Sequence, residues 1–280
     1  MYGYYTHSYW LNNSQLGGVL PPPLDTYTGA KVAYSLRQLR TAYAGSAIRV
    51  REAGGGTEAD IGFDVDGNFD TAALETHCGA NNGYVVTWYD QSGNGIDATN
   101  ATAAAQPLIC TAGVTEVDPV NGKPAVYYDG IDDSLKWTGF LTVSLYYYTA
   151  VFNRPTSGIK TIGMARHNAY GATGLYWNNG NTIQTLFAVT PFSNHATSQT
   201  QTGTFLFTTL RDSSNDCKAW LNSSALTTQN LANDVAYLSS IGEAHLYFNT
   251  GHTQEHIYYE ADKESDRAAL DSNLTAYYLV

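Results

Sequence analysis

Seven carboxylates stand where chemistry could use them: Asp90, Asp97, Asp129, Asp132, Asp133, Glu243 and Glu255. Two carboxyl groups flanking a glycosidic bond can hydrolyse it, at a separation of about 5–5.5 Å for retention or about 6.5–9.5 Å for inversion. Sequence does not report that separation, so turn structure competes with catalysis at each position. Asp90 opens the dense turn Asp90-Gln91-Ser92-Gly93-Asn94-Gly95, where an Asp side chain accepts from the backbone that follows it and Gly93 and Gly95 can take positive φ. Structural capping is therefore expected of Asp90, with Trp88 and Gln91 completing a structural turn motif. Asp129, Asp132 and Asp133 crowd into one short stretch, for which turn structure is again favoured. The alternative there is a hard cation such as calcium, which takes several clustered oxygen ligands. No other cofactor is expected.

The remaining polar chemistry is thinner. Of the seven His residues only His252 and His256 stand four apart, and in a strand an even spacing shares a face without implying a metal. Ser35, Ser46 and Ser92 lack the strained elbow and the His-acid partner of a serine nucleophile. Aromatics beside amides make the better binding case. Tyr147, Tyr170, Tyr176, Trp177, Asn178 and Asn179 offer flat apolar faces next to donors and acceptors, which suits sugar rings and protein surfaces. Within Tyr146-Tyr147-Tyr148, alternate members of a strand face opposite ways, so part of the triplet belongs to the core. Cys78, Cys110 and Cys217 show no C-x-x-C spacing and are expected to be free thiols filling small apolar spaces.

The elements that must carry these residues are mostly strands. Residues 1–25 read as an extended arm ending in Pro21-Pro22-Pro23, a run that favours polyproline geometry over helix. Val32, Leu36, Leu39 and Tyr43 form one stripe of a helix over 30–43, and a second short helix is expected over 69–78. Strands are expected over 47–51, 84–89, 125–128, 141–152, 160–165, 174–177, 182–189, 204–211, 217–221 and 255–259, from β-branched and aromatic runs broken by Gly, Asn and Asp. A final helix follows Asp262, with Leu270, Leu274 and Tyr277 on one stripe. Many short strands at this spacing indicate a β-sandwich or jelly roll.

Composition narrows the function classes. Only 14% of the residues are charged, against about 25% in an ordinary domain, while 43% are apolar and Tyr outnumbers Phe 22 to 9. Such a chain folds rather than remaining disordered. The net charge of −11 lacks the basic field that nucleic-acid binding needs. The first ten residues hold no Lys or Arg and lead into no long apolar run, so neither a signal peptide nor membrane insertion is expected, and synthesis in a host cytoplasm is. Five basic residues nevertheless fall between Lys31 and Arg51; solvated faces are favoured over an anion site for them.

Two stretches carry a resemblance. Ala33-Tyr34-Ser35-Leu36-Arg37, Gly45-Ser46-Ala47-Ile48-Arg49-Val50-Arg51, Asp60-Ile61-Gly62-Phe63 and the Trp88-to-Gly95 string resemble the opening of the arabinofuranosidase B type catalytic domain, and of tailed-phage virion and tail-fibre proteins. Ile241-Gly242, Gln254-Glu255, Ile257-Tyr258-Tyr259 and Ala276-Tyr277-Tyr278 resemble the last strand and helix of the same group. The resemblance implies a mainly β, concanavalin A-like jelly-roll sandwich over 26–280, with an N-terminal and a C-terminal helix packed on it. Neither carboxyl motif of the arabinofuranosidases is matched residue by residue. The expectation is therefore a protein that binds without cleaving: a capsid-decoration, head-fibre or tail-fibre subunit on a virion surface. Its arm would dock to other virion proteins, its sandwich would meet a host-surface glycan, and the subunit would be oligomeric in the particle. The alternative is a glycoside hydrolase of arabinofuranosidase type.

Overall fold

The computed structural model describes residues 20–143, 145–154, 160–166, 173–177, 183–186, 193–195, 203–226, 228–230, 236–244 and 247–280. Its strands pair antiparallel into two layers. One layer runs Asp216–Leu221, Gly203–Arg211, Tyr146–Arg154, Thr250–Tyr259. The far edge of Thr250–Tyr259 is shared, Val126–Asp129 pairing with its first half and Val32–Ser35 with its second. The other layer runs Glu58–Ile61, Ile48–Glu52, Gly83–Trp88, Ala98–Thr99, Leu135–Val143, Ala236–Ile241, Lys160–Arg166, Thr173–Trp177, Ile183–Leu186, Ser193–His195. Leu108–Thr111 links the layers, bonding both Gly83–Trp88 and Val126–Asp129.

Side-chain alternation explains why two layers form. Tyr34, Tyr146, Tyr148, Phe152, Phe207 and Tyr258 project inward from the first layer and meet Ile48, Val85, Trp88, Leu135 and Trp137 of the second. The intervening residues of the first layer are apolar too, so its outer face also needs cover. Ala33, Tyr147, Leu210, Ile257 and Tyr259 find it against Leu24, Leu39 and Leu270, while Val151 and Leu206 pack on Leu274 and Tyr278. The covering helix, Glu264–Tyr278, places Leu270, Leu274 and Tyr278 on one stripe and Glu264 and Asp266 in its first turn, where acidic groups suit the helix dipole. Each fully buried Leu of that stripe contributes on the order of 1.5–3 kcal/mol. Among the described residues, no helix is long and apolar enough to cross a membrane.

The mainly β sandwich with helices toward both ends agrees with expectation, but three local readings are corrected. The chain over 30–43 is not a helix: Val32–Ser35 is a strand with all four residues buried, and Leu36 and Leu39 are buried in the coil after it. A run buried on both faces has no solvent side to mark its period, so apolar spacing alone misassigned it. The N-terminal helix is instead Thr71–Cys78, capped by Asp70, whose Oδ1 accepts the Ala73 N–H at 2.9 Å. The stretch 141–152 is two strands, Leu135–Val143 and Tyr146–Arg154, lying in different layers. Pro23–Thr26 forms a helical turn, because a proline at the first helical position has the right φ and no N–H to satisfy. Residues 1–19, most of the expected arm, lie outside the described residues.

Candidate functional site

The Asp90 turn is a staple. Asp90 Oδ1 accepts the N–H groups of Ala33 and Ser92, both at 2.9 Å, and Oδ2 accepts the Ser92 hydroxyl at 2.7 Å and the Ile96 N–H at 3.2 Å. Gln91 donates to the carbonyls of Ser35 and Arg37 and accepts from the Leu39 N–H. Asp97 in turn accepts the Asp90 N–H. Gly93 and Gly95 have φ of +94° and +68°, as the turn requires. Trp88 is wholly buried and packs edge-on against His256. This motif secures the backbone of 33–39 to the sandwich, and its carboxylates are accounted for by that task.

Glu255 is also structural. Its carboxylate takes Arg37 in a two-pronged pair at 2.7 and 3.0 Å, together with the hydroxyls of Ser35 and Tyr278, all buried. Arg37 lies 4.4 Å from the centre of the Tyr277 ring, which adds a cation–π contact to the pair. The two His residues do not converge. His256 accepts or donates with the Tyr148 hydroxyl at 2.7 Å, and burial pushes its ring down to about 3, so it stays neutral. His252 instead stands 3.7 Å from Glu116 and stacks obliquely on Tyr127. Ser92 bonds an aspartate rather than a histidine.

The aromatic set divides. Tyr147 is a correction: it is 0% exposed on the helix-covered face of its layer, edge-on to Tyr259, and so cannot touch a glycan. Tyr146 and Tyr148 point the other way, into the core between the layers. Tyr170, Asn178, Asn179 and the side chains of Tyr176 and Trp177 lie outside the described residues.

What remains is a group of carboxylates where two paired strands end. Ile241 pairs with Leu135 and Ser240 with Lys136, which brings the segments carrying Glu243 and Asp133 together beyond the last pair. Gly242 lets them approach: a Cβ there would sit 2.3 Å from the Tyr128 ring and 3.1 Å from the Asp133 carbonyl oxygen. Glu243 is 3% exposed and ion-paired with Lys136 at 2.6 Å. Asp133 is 5% exposed, and its Oδ2 accepts the Asp129 N–H at 2.9 Å. Burial pushes the Asp133 carboxyl up to about 6; the Asp129 N–H bond opposes this, and the charges of Asp129 and Asp132 add to it. Two carboxyl groups in unlike surroundings is the arrangement acid–base chemistry uses. Glu243 was among the residues available from sequence, but its partner Lys136 gave no signal there, because the strand pairing that joins them spans over a hundred positions.

Asp129, Asp132 and Asp133 are the acidic group among the described residues with metal-ligand spacing, their oxygens lying within 4.8 Å of one another. Two of those carboxylates already accept turn amides, Asp129 from Ile131 and Asp133 from Asp129.

No protein-family model and no curated protein sequence matches the chain. Its fold does match solved structures. A GH54 α-L-arabinofuranosidase soaked with a cyclic sulfate inhibitor superposes with a TM-score of 0.70 at 16% identity, covering 92% of this chain and 65% of that one. An arabinofuranosidase complexed with arabinofuranosyl-α-1,2-xylobiose gives 0.67 at 15% identity with the same coverage. The chain therefore spans 65% of the length of those enzymes, and at this identity the likeness establishes the β-sandwich fold. The expectation of a protein that is not an enzyme is corrected by this finding, since the two solved structures named above, which share the sandwich, are arabinofuranosidases. The two arabinofuranosidases named above are not virion or tail-fibre proteins, and the surface-display reading draws no support from them.

Proposed function

We propose that the chain is a glycoside hydrolase domain acting on arabinofuranosyl or related side chains of a polysaccharide. The observation that carries the reading is that the segments bearing Asp133 and Glu243 lie side by side just beyond the last pair of two strands, in a sandwich similar to that of the arabinofuranosidases. Asp133, held up to about 6, serves as proton donor to the departing oxygen. Glu243, aligned by Lys136, serves as the carboxylate on the other side of the bond. Hydrolysis then consumes one water and leaves the free sugar and the alcohol.

The test is release of 4-nitrophenol from a panel of aryl glycosides that includes the α-L-arabinofuranoside, together with sugar release from arabinose-bearing polysaccharides. Glu243→Gln and Asp133→Asn should lower turnover by about 10²–10⁴-fold while the protein stays folded. No release from any substrate, or undiminished release by both variants, overturns the proposal.

A further inference from the structure

The basic cluster between Lys31 and Arg51 is only partly used by the fold. Arg37 is buried against Glu255, Arg49 holds Asp60 with two bonds of 2.8 Å, and Arg51 reaches Gln106 and the Ala103 carbonyl. Lys31 and Arg40 instead line a cavity of about 430 Å³ shared with Thr28, Ser92, Asn94 and Glu260. That volume falls in the range of small-ligand sites, about 300–1,000 Å³.

The cavity's donors are held in place. Arg40 Nη1 donates to the Ser92 carbonyl at 3.1 Å, which anchors the guanidinium and leaves the rest of its fork without a partner among the described residues. Gly93 makes room for it, since a Cβ at 93 would come within 2.7 Å of Arg40 Nη1. Asn94 Nδ2 donates to the carbonyls of Ala30 and Lys31, both at 3.0 Å, so its Oδ1 is left to accept. Lys31 and Glu260 approach only to 3.6 Å, a loose and partly exposed pair of little energetic weight.

We propose that this cavity binds a sugar unit carrying a carboxylate, with Arg40 and Lys31 holding the carboxylate and Asn94 and Thr28 meeting hydroxyls. Charge selects the class. Two cations against one carboxylate leave a single net positive charge, which suits a monoanion and disfavours the dianionic form of phosphate. The planar fork of Arg40 matches a carboxylate's two oxygens. Hydroxyl and amide lining suits a sugar better than a plain acid. The cavity is also remote from Asp133. Asp129 pairs with Thr250 at one end of the ten-residue strand Thr250–Tyr259, and Glu260 follows its other end, which sets the two sites about 30 Å apart at about 3.3 Å per residue. The inference therefore stands independently of the hydrolase reading.

Titration calorimetry at low salt, with the methyl glycosides of glucuronate and galacturonate, tests it against methyl glucoside, acetate and inorganic phosphate. The expected result is saturable binding of a uronide at least about tenfold tighter than any of the other three. Binding should weaken about tenfold or more in Lys31→Gln and in Arg40→Gln, the usual scale for losing a charge-assisted contact, and should be unchanged in Glu243→Gln. Lys31→Gln removes no bond of the Asp90 turn, so it decides the matter if Arg40→Gln fails to fold. Equal binding of methyl glucoside, acetate or phosphate, binding indifferent to Lys31→Gln, or no uronide binding overturns the proposal.

Discussion

Replacing Asp133 by Asn should make the protein more stable at pH 8 while removing the proposed proton donor. Burial raises the Asp133 carboxyl from an ordinary value of about 3.9 to about 6. The folded state thus binds this proton more tightly than the unfolded chain does. Between about pH 4 and pH 6 the unfolded chain has lost the proton while the folded protein still holds it. Stability conferred by the neutral acid is full below pH 4 and is lost as pH rises through 6. A shift of about two units corresponds to at most about 3 kcal/mol of penalty on the ionised form. An Asn keeps an oxygen to accept the Asp129 N–H and never ionises, so the penalty disappears. Urea unfolding at pH 4.5 and pH 8 measures this. The variant should gain about 1–3 kcal/mol over wild type at pH 8 and much less at pH 4.5. A variant equally or less stable at pH 8, with a difference that does not change with pH, would refute the claim that Asp133 is a destabilised carboxylate.

Three further outcomes follow from the packing. Arg37→Met should cost about 3–5 kcal/mol in denaturant unfolding, because it leaves the Glu255 carboxylate buried without its cation; a loss under about 1 kcal/mol would show that the pair is dispensable. Gln91→Ala frees two carbonyls and one N–H around 35–39 and should cost about 2–4 kcal/mol by the same measurement, with proteolysis of the N-terminal segment accelerated. Tyr147→Ala should destabilise by about 3–5 kcal/mol and leave any polysaccharide retention on affinity gels unchanged, since its ring is enclosed beneath the Glu264–Tyr278 helix.

The relation between sequence and fold is uneven along the chain, for physical reasons. Strands such as Gly203–Arg211 and Asp216–Leu221 are legible because β-branched and aromatic runs end in turn residues. The Glu264–Tyr278 helix is legible because one stripe is apolar and the rest meets water. The Asp90 turn is legible because short-range bonds are encoded by neighbours. Val32–Ser35 was misread because both of its faces are buried, which erases periodicity. Of the candidate site, the carboxylates themselves could be named from sequence, but not which of them come together.

Local chemistry thus settled the fold class, several of the strands, the capping role of Asp90 and the free, buried state of the three cysteines. Tertiary structure alone decided the rest. Arg37 finds Glu255 218 positions away, Glu243 finds Lys136 through paired strands, and Lys31 and Arg40 line a cavity while Arg37 and Arg49 are paired with acids. The reason is that charge and burial depend on what lies within a few ångströms in space, and in an antiparallel sandwich those neighbours come from distant parts of the chain.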